Sequence, residues 1–227
     1  MKSKPTVSVI IPAFNEEERI QGTLRSVKRL DRIDELIVVD DGSRDRTAAI
    51  AGRYADQVVR LGKHRGKGAA LAEGIRHARG DILLFLDADL EEHAKLSGSL
   101  LEPILKGEAD MTIARFPAPI RKGGFGLVKG LARSGVRRLT GKTIHATLSG
   151  QRALRREVIS RLSYFPIGFG IELGLTVQAL RAGFRVQEVP LPMRHRETGR
   201  DLRGFLHRGK QFVAILRTLL RLWRQPV

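Results

Sequence analysis

Gly80-Asp81-Ile82-Leu83-Leu84-Phe85-Leu86-Asp87-Ala88-Asp89-Leu90 is the stretch around which the rest of the chain is organised. Five successive apolar residues, Ile82 to Leu86, bounded by Gly-Asp and then by acids, predict a strand buried on both faces, as in parallel sheets. Asp87 and Asp89 stand at its carboxyl end, where open α/β sheets bind their ligands. Their oxygens are hard donors of the kind that hold Mg²⁺ or Mn²⁺. An Asp-x-Asp alone occurs in many unrelated proteins, so its neighbours must decide what it means.

Upstream, Thr6 to Ile11 is rich in β-branched residues and stops at Pro12-Ala13-Phe14-Asn15, which predicts a first strand and its loop. A helix follows, with Asn15 placed to cap it, Glu16, Glu17 and Glu18 at its positive end, and Ile20, Leu24, Val27 and Leu30 at helical spacing. Asp34 to Val39 is a second strand running into Asp40-Asp41-Gly42-Ser43, with a helix over 45–53. Val58-Val59-Arg60 is a short third strand, followed by the basic loop Gly62 to Gly68 and a helix over 69–78. This alternation specifies a Rossmann-like, mostly parallel sheet with helices on both faces, and it brings three loops to one crevice: 12–16, 40–43 and 87–89. Gly66-Lys67-Gly68 lacks the spacing of a P-loop, and no Gly-x-Gly-x-x-Gly follows the first strand, which disfavours ATPase and dinucleotide readings.

Taken together, Val9 to Glu17 with Pro12-Ala13-Phe14-Asn15-Glu16, Val38-Val39-Asp40-Asp41-Gly42-Ser43, Gly66-Lys67-Gly68 and Asp87-Ala88-Asp89 resemble the family-2 glycosyltransferases of the GT-A fold. The resemblance implies a nucleotide sugar held by Pro12, Ala13, Asn15 and Glu16 at the base and ribose. It puts Asp41 beside the base, Lys67 on the nucleotide side, and Asp87 with Ala88 near the ribose. Asp89 is then the catalytic metal ligand, the cofactor being Mg²⁺ or Mn²⁺. Further on, Gly168 to Gly174 resembles glucosyl-3-phosphoglycerate synthases and polyprenyl-phosphate sugar transferases, which makes Glu172 a catalytic candidate. The same resemblance makes His195 a second metal ligand and sets Arg200, with Arg194 and Arg196, against the donor diphosphate. At Gly124-Phe125-Gly126-Leu127 the chain departs from the phosphoglycerate enzymes, which offer an Arg and a Thr after a Gly; this favours a phosphorylated acceptor such as polyprenyl phosphate, with transfer to a small soluble acid, as in glucosyl-3-phosphoglycerate synthesis, as the alternative. The expected donor is of the UDP-glucose type.

The second half is expected to carry the acceptor. Asp110 to Arg115 is a further strand, 116–124 a lid-like loop, Phe125 to Leu139 a helix, Leu148 to Ala153 an acceptor-site strand and turn, and Phe184 to Leu191 an edge strand. One GT-A domain over 1–200 thus divides into a nucleotide-sugar half, 1–110, and an acceptor half, 111–200. Residues 201–227 form a basic amphipathic helix whose apolar face is expected at Leu202, Phe205, Gly209, Phe212, Leu216, Leu219 and Trp223. It could fold back on the domain, pair with a second subunit as a homodimer, or lie on an anionic membrane.

The formal net charge of +17 over 227 residues implies an anionic partner. No acidic residue occurs between Asp110 and Glu157, while Lys and Arg recur from Arg115 to Arg156. Nucleic-acid binding is the reading from another class, disfavoured because aromatic residues are too few to interleave with the charge. The absence of cysteine excludes disulfides and thiolate metal sites and suits a cytoplasmic protein, with peripheral contact at the inner membrane face as an extension. The apolar run after Met1 is too short for a signal-peptide core or a spanning helix.

Overall fold

The computed structural model describes residues 4–117, 127–166, 168–192 and 202–224. In the first half β1 (Val7–Ala13), α1 (Ile20–Val27), β2 (Glu35–Asp40), α2 (Thr47–Ala51), β3 (Gln57–Arg60), α3 (Lys67–His77) and β4 (Ile82–Phe85) alternate as expected. A 3-10 helix (Glu91–Leu100) and α4 (Glu102–Leu105) then lead to β5 (Met111–Arg115) and α5 (Leu127–Thr140). The chain finishes with β6 (Arg152–Arg155), α6 (Arg156–Ser160), a 3-10 turn (Gly168–Gly170), α7 (Ile171–Arg181), β7 (Val186–Pro190) and α8 (Leu202–Arg224).

The strands form one seven-stranded sheet in the order β3-β2-β1-β4-β6-β5-β7. All pairings are parallel except those of β6, which runs antiparallel to both β4 and β5. Alternate residues of β1 serve two cores, one on each face of the sheet. Val7, Val9 and Ile11 pack with Ile20, Leu24 and Val27 of α1 and with Leu100. Ile10 shares the opposite core with Leu71 of α3, Val136 of α5, Leu175 of α7 and Leu222 of α8. The edge position expected for the last strand is the one β7 occupies.

Some local expectations need correcting. Asn15 does not cap α1, which begins at Ile20 without a side-chain cap. It adopts a left-handed conformation, φ 53°, which asparagine tolerates better than most residues. In that pose it bridges to the neighbouring loop. The helix expected over 45–53 is regular only from Thr47 to Ala51: the Asp45 carboxylate takes the N–H of Thr47 at 3.0 Å at its start, and after Ala51 the chain continues in tighter turns, Arg53 N–H to Ile50 and Tyr54 N–H to Ala51. The 3-10 helix after the acid pair was not foreseen.

The C-terminal helix folds back on the domain, and of its expected face the described residues bury Leu219 alone. Ile215, Leu219 and Leu222 are buried, whereas Phe212, Leu216 and Trp223 are exposed. Leu219 lies so close over Gly135 of α5 that any side chain there would collide with it. Arg181 ties the ends of both helices, donating from Nη1 to the carbonyl of Leu222 at 2.6 Å and from Nε to that of Leu139 at 3.2 Å. A cation is well placed there, since the last carbonyls of a helix lack intrahelical partners and carry partial negative charge. Among the described residues no helix is long and apolar enough to cross a membrane.

Candidate active site

The crevice is built by lacing loops together. The backbone N–H of Asn15 donates to Ser43 Oγ at 2.9 Å, and Asn15 Oδ1 accepts from the N–H of Arg44 at 2.9 Å. Glu16 donates its N–H to Thr47 Oγ1 at 2.8 Å and Glu17 donates its own to Asp45 at 3.1 Å. Asp41, buried at the end of β2, accepts the N–H groups of Arg65 and Gly66 at 2.8 and 2.7 Å and approaches His64 Nδ1 at 2.9 Å. Both its oxygens are thus spent on shaping the loop before α3. His64 in turn stacks on Phe14, ring centroids 4.0 Å apart. Pro12 and Ala13 lie within β1 with buried side chains, in register with Val39 and Asp40, so what they can present to a ligand is backbone.

At the carboxyl end of β4, Ala88 is buried and its carbonyl accepts from Thr23 Oγ1 at 2.7 Å. This fixes the turn between the two aspartates. Asp89 makes no hydrogen bond or ion pair with a described residue. It lies close enough to Glu16 to help hold that carboxyl above its usual range; burial is the larger cause, and Arg19, 3.2 Å away, acts in the opposite direction. Glu16 Oε2 is buried and is the oxygen that Arg19 Nη2 meets.

Asp87 belongs to a second group. Lys67, the first residue of α3, places Nζ 2.6 Å from Asp87 Oδ1 and 3.2 Å from Glu172 Oε1. Burial pulls the lysine pKa down, but the two carboxylates more than reverse this and the ammonium is held above its ordinary range. A cation at a helix N-terminus opposes the helix dipole, so these carboxylates are what make it tolerable there. Gln151 donates to Asp87 Oδ2 from the start of β6. Beneath lies Arg152, 1 % exposed, donating to the carbonyls of Glu172 at 3.0 Å and Ser149 at 2.6 Å. Burial pushes its guanidinium down to about 10 against the pull of Glu172 and Asp87. Two cations and two carboxylates therefore compensate one another where β4, β6, α3 and α7 meet.

Gly150 leaves room for this group, because a Cβ there would run into Lys67 Nζ and come within 3.0 Å of Asp87 Oδ2. Gly150→Ala is expected to keep the fold, since a lysine tip can swing aside, and to cut turnover at least tenfold by breaking the Lys67–Asp87 pair. Thermal denaturation beside a transfer assay checks this; an alanine variant of full activity would make the pair irrelevant.

The structure thus brings Glu16 and Asp89 together, and Lys67, Asp87 and Glu172 together, as one crevice at the strand ends. His195, Arg200, Arg194 and Arg196 lie outside the described residues, as does the greater part of the expected lid, 118–124. Gln151, Arg152, Phe14 and His64 were not singled out by sequence reasoning. A polar pair entering the run Ala153-Leu154 of a buried strand was the available signal for the first two, since a buried arginine must be paid for by partners.

The pattern of glycosyl transferase family 2 matches residues 8–163. The chain belongs to that family. Among its relatives, the dolichol-phosphate mannosyltransferase of Pyrococcus furiosus is 30 % identical over 96 % of this chain, which spans 64 % of that protein's length. The glucosyl-3-phosphoglycerate synthase of Mycobacterium tuberculosis is 31 % identical over 95 % of this chain and 74 % of its own. The crystal structure of that synthase with phosphoglyceric acid superposes over 100 % of this glycosyltransferase and 82 % of the synthase chain with a TM-score of 0.83. Another, with a TM-score of 0.83, holds Mn²⁺, uridine diphosphate and glucosyl-3-phosphoglycerate. The GT-A fold expected from the sequence is therefore established.

Proposed function

We propose that this glycosyltransferase moves a hexose from a nucleoside-diphosphate sugar of the UDP-glucose type to a phosphorylated acceptor, polyprenyl phosphate at the cytoplasmic face of a membrane, with Mg²⁺ or Mn²⁺ as cofactor. The observation that carries the donor reading is the approach of Asp89, which makes no hydrogen bond or ion pair with a described residue, to the Glu16 carboxyl, whose Oε2 is ion-paired to Arg19 at 3.2 Å, at the mouth of a pre-laced crevice. The described residues contain no cluster of three metal ligands. That suits a divalent ion held by one or two carboxylates and completed by substrate phosphates. Asp89 would hold it, with His195 as the further ligand; when bound it supplies positive charge against the departing diphosphate.

The chain's own residues do the rest. The loop around Asp41, with Phe14 and His64, receives the base, Lys67 orients Asp87 towards the ribose, and Arg200 meets the diphosphate. Glu172, with Oε1 bound to Lys67, faces the sugar and acceptor from the start of α7. An acceptor phosphate arrives already ionised and needs no base to take its proton, which agrees with a Glu172 carboxylate engaged by a lysine.

The second reading is transfer to phosphoglycerate, favoured by the complexes of the mycobacterial synthase. A thermal-shift panel of UDP-, GDP-, ADP- and dTDP-sugars with and without Mn²⁺ tests the donor. At a hundredfold excess over Kd, binding adds about 2.7 kcal/mol, a rise of roughly 5–10 °C for a chain of this size. One metal-dependent nucleotide sugar should give that rise. No rise with any would refute the donor site. Labelled sugar recovered in an organic extract then supports the lipid acceptor, and label confined to water with phosphoglycerate supports the second reading.

A further inference from the structure

Among its described side chains, helix α8 carries two apolar faces, of which one packs into the domain. Ile215, Leu219 and Leu222 are packed into the domain, while Phe212, Val213, Leu216, Leu220 and Trp223 stand exposed, the tryptophan by 72 %. At 100° per residue these five fall within one contiguous stripe of about a quarter turn, with Arg224 and Arg217 along its open side. Arg217, Leu220, Arg221 and Arg224 line a shallow groove of about 400 Å³. Arg221 is held there by its contact with the Tyr164 ring, 3.8 Å from the centroid. The helix is fixed in place by Arg181 and by the fit of Leu219 on Gly135, so the stripe is a formed surface of the folded domain.

We infer that this face of α8 docks on an anionic lipid bilayer, the apolar stripe entering the headgroup boundary and Arg217, Arg221 and Arg224 meeting lipid phosphates. Charge selects this occupant. From Leu202 to Val227 there is no acidic residue, and none occurs in α5 beside it, where Lys129, Arg133, Arg137 and Arg138 are also exposed. A second copy laid on the stripe would bring arginines against arginines with nothing on either helix to neutralise them. A bilayer of anionic lipid supplies the missing charge, and tryptophan with leucine beside arginine is the composition of helices that lie in that interface. Thr218, on the packed side, touches Gly170, which caps α7 just before Glu172, so the docked face backs directly onto the acceptor end of the crevice. This deepens the lipid-acceptor reading, and its test reads lipid contact without turnover, so that either can fail alone.

Trp223 is the single tryptophan of the chain, which makes its fluorescence a direct report. With phosphatidylglycerol-containing vesicles its emission should shift to the blue and be quenched by brominated acyl chains; phosphatidylcholine vesicles should give little. Arg217→Gln with Arg224→Gln should weaken partitioning about 25-fold, roughly fivefold per arginine. Leu216→Ser with Leu220→Ser should abolish the blue shift. Both pairs of substitutions sit on the exposed face and should leave the melting temperature and the nucleotide-sugar shift unchanged. No response of Trp223 to anionic vesicles in a protein that binds its donor would overturn the inference. A blue shift that follows protein concentration in the absence of lipid, with a dimer in sedimentation velocity, would overturn it in favour of a second copy.

Discussion

Lys67→Met is expected to lower sugar transfer by about three orders of magnitude and to destabilise the fold by about 2 kcal/mol. The second figure lies under the ~3–5 kcal/mol of a fully buried broken pair because a third of the lysine side chain reaches solvent. Without the ammonium, Asp87 and Glu172 lose the cation that bridges their two carboxylates. Adding Asp87→Asn removes one of the two like charges brought together there, so the double variant should regain stability without regaining activity. The stability deficit of the single variant should be flat across neutral pH. The lysine's folded pKa lies above its unfolded value, so the pair contributes fully below the ordinary lysine range and is lost only as pH rises through the raised value. Urea denaturation of the three proteins beside a transfer assay checks this. A single variant with wild-type stability and activity would remove Lys67 from the site.

The second large effect belongs to Asp89. Asp89→Asn should lose transfer by about 10³, the rate equivalent of some 4 kcal/mol of charge stabilisation on the leaving diphosphate. It should not lose stability, because the carboxylate makes no hydrogen bond to a described residue. Its removal also relieves Glu16, whose pKa should move part of the way back towards the ordinary range while burial keeps it raised. Carboxyl titration by NMR reads that change apart from catalysis. If the variant kept both a tenth of the wild-type rate and metal-dependent binding of the nucleotide sugar, Asp89 would not be the metal ligand.

How far the sequence could be read follows from where contacts are local. β1 to β4 carry continuous β-branched or apolar runs punctuated by Pro, Gly and Asp, and each motif loop adjoins its own strand, so the first half was legible in order. β6 was legible only as a segment, because its place between β4 and β5 and its reversed direction depend on pairings far apart along the chain. Lys67 was named for the nucleotide; its bridge to Glu172 across α3 and α7 lies beyond what spacing can show. α8 misled by having two apolar faces. Of the expected stripe the domain took Leu219, together with the unforeseen Ile215 and Leu222, and left Phe212, Leu216 and Trp223 exposed.

The reversed strand also sets an order of events during synthesis. β5 touches the sheet only through β6 and β7, both of which are made after it. A nascent chain that has just completed Met111 to Arg115 therefore carries an apolar strand with two open edges and no seat beside β4. The strand-end loops, laced among residues 13 to 66, can close at that stage, whereas β5 must wait for residues 152–155 to arrive. Such an interval of unpaired strand is where aggregation and chaperone capture act. Chains arrested between Arg115 and Gly150 should be the aggregation-prone species, and those extended past β6 should be released from it.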